Sequence, residues 1–259
     1  MFPDKQGFQS AARTHRGRVR DNNEDSVFAV DRIQRSSFQS YSFGIYIVAD
    51  GLGGHQAGEV ASKTAVRIIS SKLLINLKES TTSRSPAQVI WQTIERANAE
   101  IFDLAASQPR LRSMGTTVTM GLRLDSRLCV GHVGDSRAYL ASRGKIRQLT
   151  RDHSLVAQMV REGKITPGEA RTHPERGVIL RCLGASREVD IDVFELKLET
   201  GDHLLLCSDG LTATVSEDEI LGCLMADASV RNMCKTLIGL ANSRGGEDNV
   251  SVVIVRSAV

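Results

Sequence analysis

The chain has 259 residues, of which 41% are hydrophobic and 24% are charged, with a formal net charge of +3. This composition is typical of a folded domain with a sizeable core, and it excludes a largely disordered chain. With a small net charge and only 4% aromatic residues, no nucleic-acid partner is expected.

No segment predicts membrane insertion or export. The chain contains no uncharged apolar run of about 18 residues, and its first residues include no apolar signal segment. The five cysteines are widely spaced and form no Cys-x-x-Cys pair. We therefore expect a cytoplasmic protein with reduced thiols and no membrane partner.

Apolar patterning predicts the secondary structure. Short β-branched segments indicate strands, and apolar residues at helical spacing indicate helices. In chain order the pattern predicts a strand at 44–49, helices at 56–77 and 86–106, strands at 116–124, 127–133, 137–141, 146–149 and 203–207, helices at 216–225 and 229–243, and a strand at 250–255. Because strands and helices are grouped rather than alternating, the pattern favours an α+β fold with antiparallel sheets.

Acidic residues stand at the ends of the most apolar predicted strands. Asp50 follows the strand at 44–49, Asp209 follows the strand at 203–207 after one serine, and Asp248 precedes the strand at 250–255. Taken singly, an Asp-Gly pair at a strand end indicates a turn. Three partly buried carboxylates together would repel one another unless a cation bound them.

The ligand types indicate which cation this would be. All the candidate ligands are oxygens, which favours Mg²⁺ or Mn²⁺ over Zn²⁺. Two such ions about 3.5–4 Å apart can share a hydroxide that hydrolyses a phosphoester. If residues 20–24 are extended, Arg20, Asn22 and Glu24 share one face, and Arg20 can hold phosphate oxygens.

Six ordered motifs resemble those of the metal-dependent protein serine/threonine phosphatases of type 2C, in their bacterial form. The resemblance covers residues 8–256 and implies one catalytic domain. The matching motifs are Thr14-x-x-Gly17-x-x-Arg20-x-x-Asn23-Glu24-Asp25, Val48-Ala49-Asp50-Gly51-Leu52-Gly53-Gly54-His55-x-x-Gly58-Glu59, Met114-Gly115-Thr116-Thr117, Gly134-Asp135-Ser136-Arg137, Cys207-Ser208-Asp209-Gly210-Leu211 and Asp248-Asn249-Val250.

The resemblance implies a central antiparallel β-sandwich flanked by helix pairs on both faces, with a flap subdomain at 150–185. It also implies two tight Mn²⁺ or Mg²⁺ ions and a third, weaker one. The implied metal-binding residues are Glu24, Asp50 as the bridge, Gly51 through its carbonyl, Asp209 and Asp248, with Asp135 and Asp209 at the third site. Arg20 would hold the substrate phosphate, and Asp25 would lie behind the ligands.

Two residues keep an alternative interpretation. His55 is either a helix-entry residue bonded to the backbone or a group acting on phosphate or metal-bound water. Asp135 is either a ligand of the third ion or a turn aspartate paired with Arg137. Human-type members of the family carry a histidine directly after Asp-Gly as a general acid, whereas this chain has Leu52 there.

These observations predict a protein serine/threonine phosphatase that uses a metal-bridging hydroxide. Its substrates would be phosphorylated proteins made by a serine/threonine kinase. The span 143–187, which includes the flap, contains ten Lys or Arg and four acidic residues, a net charge of +6, and the flap favours a protein substrate. Two alternatives remain open: an inactive relative that binds phosphorylated ligands, and a phosphatase of small phosphoesters.

Overall fold

Two five-stranded antiparallel sheets lie at the centre of the computed structural model, which describes residues 7–35, 40–53, 56–79 and 85–258. The first sheet contains, in spatial order, β1 (Phe8–His15), β12 (Val250–Ser257), β11 (His203–Cys207), β8 (Arg137–Ser142) and β9 (Lys145–Gln148). The second contains β10 (Asp192–Lys197), β7 (Arg127–Val133), β6 (Val118–Leu124), β3 (Ser40–Ala49) and β2 (Ser26–Arg35). A short pair, β4 (Gly51–Leu52) with β5 (Gly115–Thr116), extends from the end of β3.

Helices cover the outer face of each sheet. The helices are α1 (Gln56–Glu79), α2 (Pro86–Ser107), α3 (Leu155–Arg161), α4 (Pro167–Thr172), α5 (Asp209–Thr212), α6 (Glu217–Leu224) and α7 (Val230–Ser243). The α1–α2 pair packs on the second sheet and α5 to α7 pack on the first. This confirms the predicted α+β sandwich with helices on both faces.

Period-two alternation in the strands builds the layers. In β11, Leu204 and Leu206 point between the two sheets, whereas Leu205 and Cys207 point toward α7. All four are almost completely buried. Because β11 is covered on both faces, it is apolar from Leu204 to Cys207, and truncating one such leucine to alanine costs about 2–5 kcal/mol.

Helix starts follow local capping chemistry. Ser85 caps α2: its hydroxyl accepts from the Gln88 amide, and its own amide donates to the Gln88 side-chain oxygen, with Pro86 in the first helical turn. Ser216 and Glu219 form the same capping box at α6. Such caps satisfy backbone N–H groups that have no partner inside the helix, which explains why these two boundaries are recognisable in the sequence.

Within the two five-stranded sheets, three strands escape the sequence prediction, and all three lie at sheet edges: β1, β2 and β10. Edge strands carry polar residues on exposed positions, so their apolar signal is weak. The two short helices α3 and α4 belong to the segment 150–185, called the flap below, and were not predicted as helices. In the described part of the chain, no helix is long and apolar enough to cross a membrane.

Candidate active site

Asp50 is held by its own backbone at the end of β3. Its amide donates to the Thr117 hydroxyl at 2.9 Å, and its carbonyl accepts from the Thr117 amide and the Thr116 hydroxyl, both at 2.8 Å. These bonds fix the direction of the Asp50 side chain into the cleft. Burial first, and then the charges of Asp25 and Asp209, raise the pKa of Asp50 well above its ordinary value.

Asp209 and Asp248 reach the same cleft from the neighbouring strands of the first sheet. Asp209 is the first residue of α5, directly beyond β11, and Asp248 lies just before β12. Burial and the charge of Asp248 raise the pKa of Asp209, while a hydrogen bond with Asp50 opposes this rise. The structure therefore brings together the three carboxylates that the sequence placed at strand ends.

Glu24 joins this group from the loop before β2. A Cβ atom on Gly58, in the first turns of α1, would clash with a Glu24 carboxylate oxygen, and a Cβ on Gly51 would clash with the Gly58 carbonyl. The two glycines thus let Glu24, Gly51 and α1 pack in direct contact. This close approach explains why both positions lack a side chain.

Asn249 organises the loop that carries Arg20 and Glu24, a role that the sequence analysis missed. The side-chain Nδ2 atom of Asn249 donates to the backbone carbonyls of Arg16 and Asn22, both at 2.9 Å. Its side-chain Oδ1 atom accepts from the Glu24 backbone amide at 2.7 Å. Residues 21 and 22 form a bend, and residues 23–25 belong to no strand. The premise that residues 20–24 are extended is therefore wrong. The Asn249 side chain gives this loop backbone the hydrogen bonds that a neighbouring strand would otherwise give it.

Arg20 projects into the cleft and contacts Asp248. Its Nη2 atom donates to Asp248 Oδ2 at 2.7 Å, and the two side chains are 57% and 40% exposed. The hydrogen bond to Asp248 raises the pKa of Arg20. An exposed guanidinium at the mouth of an acidic cleft is suited to bind a phosphate group.

Asp25 is buried and does not line the cleft. One carboxylate oxygen accepts from the Ser208 hydroxyl at 2.8 Å, and the other has no hydrogen-bond partner within the described residues. Burial raises the pKa of Asp25 to about 7. The Ser208 hydroxyl also accepts a hydrogen bond from the Ser251 amide at 2.9 Å. Asp25 is therefore linked to the strand ends that carry Asp209 and Asp248.

Asp135 lies in the turn between β7 and β8 and is 7% exposed. Its Oδ1 atom is buried without a hydrogen-bond partner in the described residues. Burial, followed by the charge of Asp209, raises the pKa of Asp135 to about 8. The alternative pairing with Arg137 is wrong, because Arg137 donates to both carboxylate oxygens of Asp152. Its Nε and Nη2 atoms lie 2.9 and 2.6 Å from Asp152 Oδ2, and it also donates to Tyr139.

These side chains line one cleft of about 480 Å³. Its described lining includes a single arginine, Arg20, against six acidic residues: Asp21, Glu24, Asp50, Asp135, Asp209 and Asp248. The flap contributes Gly177 and Ile179 to the same wall. His55, the other candidate catalytic residue, lies outside the described residues.

The cleft has the donor chemistry of a site for hard divalent cations. Its ligand candidates are carboxylate and carbonyl oxygens, and mutual repulsion together with burial raises the pKa of Asp50, Asp209 and Asp135. Among the described residues, no three acidic, histidine or cysteine side chains are already arranged around one ion. One Asp248 oxygen is engaged by the Arg20 guanidinium, at 2.7 Å from Nη2.

Comparison with known proteins agrees with this geometry. The family model for protein phosphatase 2C matches residues 15–241. The chain is 40% identical over 246 residues to the serine/threonine phosphatase stp of Listeria innocua, covering 94% of this chain and 93% of that protein.

Solved structures share the fold as well. The Mycobacterium tuberculosis serine/threonine phosphatase PstP superimposes with a TM-score of 0.84 at 37% identity, covering 97% of this chain and 99% of that one. The catalytic domain of PstP in complex with two manganese ions gives a TM-score of 0.83 at 35% identity, with the same coverage of 97% and 99%.

Proposed function

The chain belongs to the protein phosphatase 2C family, and we propose that its acidic cleft hydrolyses phosphoserine and phosphothreonine in proteins with two Mn²⁺ or Mg²⁺ ions. The observation that carries the proposal is the convergence of Asp50, Asp209, Asp248 and Glu24, from four separate segments, on one cleft beside Arg20. An inactive relative would be expected to lack some of these carboxylates, whereas this chain keeps all of them.

The residues divide into metal-binding and phosphate-binding groups. Asp50 would bridge the two ions, the Gly51 carbonyl, Asp209 and Asp248 would complete the first site, and Glu24 would serve the second. When bound, the ions make water nucleophilic at neutral pH and neutralise charge that develops on the phosphate. The hydrogen bonds of the Asp50 backbone with Thr116 and Thr117 would keep its carboxylate in place for this role.

Arg20 supplies the phosphate contact. Its exposed guanidinium pairs with a candidate ligand, Asp248, and therefore lies beside the cleft in which a substrate phosphate would bind. A guanidinium presents parallel N–H donors to two phosphate oxygens and would stabilise their charge in the bound substrate and in the transition state alike. Asp25 supports this arrangement by fixing Ser208 and, through it, the end of β12.

Phosphorylated proteins, the products of a serine/threonine kinase, are the proposed substrates. The flap forms part of the cleft wall through Gly177 and Ile179, and the span 143–187 has a net charge of +6. These features favour a polypeptide that extends beyond the phosphate. We place the reaction in the cytoplasm, where reducing conditions maintain free thiols such as the five, all within the described ranges, that this chain carries. We also assign the whole span 8–256 to one catalytic domain.

Substrate competition tests this assignment. Phosphate release is measured at equal concentrations of a phosphothreonine peptide, the matched phosphotyrosine peptide and a small phosphoester such as glycerol phosphate, all with Mn²⁺. The proposal predicts the highest kcat/KM on the phosphothreonine peptide. A preference for the small phosphoester would establish the alternative substrate class, and no release from any of the three would indicate a binding protein.

A further inference from the structure

The entrance of the flap is attached to the residue before Asp135. The His153 amide donates to the Gly134 carbonyl at 2.8 Å, and the Gly134 amide donates to His153 Nδ1 at 3.1 Å. His153 is 6% exposed. A single flap residue therefore holds both polar backbone groups of Gly134.

This contact settles the tautomer of the His153 ring. A backbone N–H can only donate, so Nδ1 must be unprotonated and Nε2 carries the proton. Nε2 lies 3.4 Å from Asp192 Oδ2 on β10. Burial lowers the pKa of His153 below its ordinary value, in agreement with a neutral ring. Asp192 thus fixes the ring with the acceptor nitrogen directed at Gly134.

Asp192 contacts the other end of the flap as well. Its Oδ1 atom lies 3.6 Å from Arg181 Nη1. The His132 ring packs against the His153 ring at 4.8 Å between centroids, and the two His132 nitrogens are bound by Thr119 and the Arg151 carbonyl. The ring of His153 is consequently fixed from three sides.

On its opposite side, Gly134 packs against the support of Asp50. Its φ angle is +113°, and a Cβ atom there would come within 2.6 Å of Thr117, the residue whose hydroxyl binds the Asp50 amide. Gly134 is therefore clamped between Thr117 and His153. Oδ1 of Asp135 has no partner among the described residues, so the place of that carboxylate depends on the backbone on either side of it. This clamp holds the Gly134 side, and hydrogen bonds of Ser136 with Thr117 and Thr119 hold the other.

We propose that His153, oriented by Asp192, is a positioning residue that sets the place of Asp135 relative to Asp50 and so couples the flap to the reaction. The proposal rests on the proposed phosphatase function. Breaking the clamp lets Asp135 move while Asp50, Glu24, Asp209 and Asp248 remain in place. The defect should therefore appear in turnover of substrates that depend on Asp135, and not in the tight metal sites.

Two substitutions separate the two ring nitrogens. Asparagine places an acceptor oxygen where His153 has Nδ1, whereas glutamine places its amide where His153 has Nε2. For H153N we expect kcat on a phosphothreonine peptide within about three-fold of wild type. For H153Q we expect a loss of about ten-fold or more, which is part of the roughly 10²–10⁴-fold that a positioned proton-transfer group contributes. Asp192→Ala should lower kcat in the same direction as H153Q. Asp190→Ala, which also removes a carboxylate near Arg181 but none near His153, is the matched control.

Amide hydrogen exchange gives a readout that needs no turnover. The Gly134 amide should exchange faster in H153Q than in wild type and should keep its protection in H153N, while manganese titration finds two tight ions in both. Equal kcat for H153N and H153Q, or unchanged Gly134 exchange in H153Q, would overturn the proposal. An inactive wild-type protein would instead refute the phosphatase function, with the exchange measurement still deciding whether the clamp exists.

Discussion

Arg20 and Asp248, 228 positions apart in the sequence, are joined by a hydrogen bond of 2.7 Å between Nη2 and Oδ2. The pair connects the residue assigned to phosphate with a residue assigned to a metal ion. Because both side chains are substantially exposed, the ion pair contributes little to folding and can exchange partners when ligands bind.

Arg20→Ala is therefore expected to weaken phosphopeptide binding and to preserve both tight metal sites. A lost charge-assisted contact of about 1.5–3 kcal/mol corresponds to roughly ten- to a hundred-fold in kcat/KM, mainly through KM. Steady-state kinetics and calorimetric titration with Mn²⁺ measure the two effects separately. Loss of both tight sites in the calorimetric experiment would show that Arg20 organises the metal ligands instead.

Asp50→Asn and Asp209→Asn are each expected to remove nearly all turnover. Losing one carboxylate weakens metal binding and raises the pKa of the water bound to the metal. Without added metal, thermal melting should be unchanged or improved, because one of several mutually repelling carboxylates is gone. A variant with wild-type kcat at saturating metal would show that the altered residue is not a ligand.

The metal-free protein should lose stability as the pH rises. Burial raises the pKa of Asp25 to about 7 and that of Asp135 to about 8, both from an ordinary value of 3.8. The folded protein thus binds more protons than the unfolded chain between about pH 4 and 8, and its stability is lost through this window. Melting temperatures in EDTA should fall from pH 5 to 8, and less steeply in Asp135→Asn. An identical slope in both proteins would contradict the assigned shift.

The sequence was most informative where a buried strand meets an acidic residue. Asp50 and Asp209 follow strands that are apolar on both faces, so their placement at a common edge could be predicted. The clamp by Asn249 could not, because its partners Arg16, Asn22 and Glu24 lie more than 220 positions away. The only indication of this clamp in the sequence is that Asn249 directly follows Asp248 within a motif, and the motif alone assigns Asn249 no role.

The same reasoning explains the missed strands. β1, β2 and β10 form sheet edges, where one side of the strand has no partner and polar residues are tolerated. The conformation of the active site was hard to predict for the same reason, since the loop carrying Arg20 and Glu24 connects the edge strands β1 and β2. Its bent form depends on tertiary contacts rather than on local propensity.

Asp135→Ala distinguishes a third metal-binding role from that of a turn residue. We expect the two tight ions to remain. We expect kcat on a phosphothreonine peptide to fall strongly, because the threonine alkoxide is a poor leaving group and needs a proton from the Asp135 side of the cleft. Para-nitrophenyl phosphate has a good leaving group and should be affected less. Both rates are measured in one preparation together with metal stoichiometry. Equal losses would remove the leaving-group argument, and no loss on either substrate would leave Asp135 as a turn residue.

Metal restoration tests the central claim most directly. The protein is stripped with EDTA, the chelator is removed, and phosphate release from a phosphothreonine peptide is followed as Mn²⁺ or Mg²⁺ is added to wild type and to Asp209→Asn. We predict no release from the stripped wild type, full recovery with added metal, and almost none from Asp209→Asn at any metal concentration. Full activity of the exhaustively chelated wild type would contradict the two-metal account.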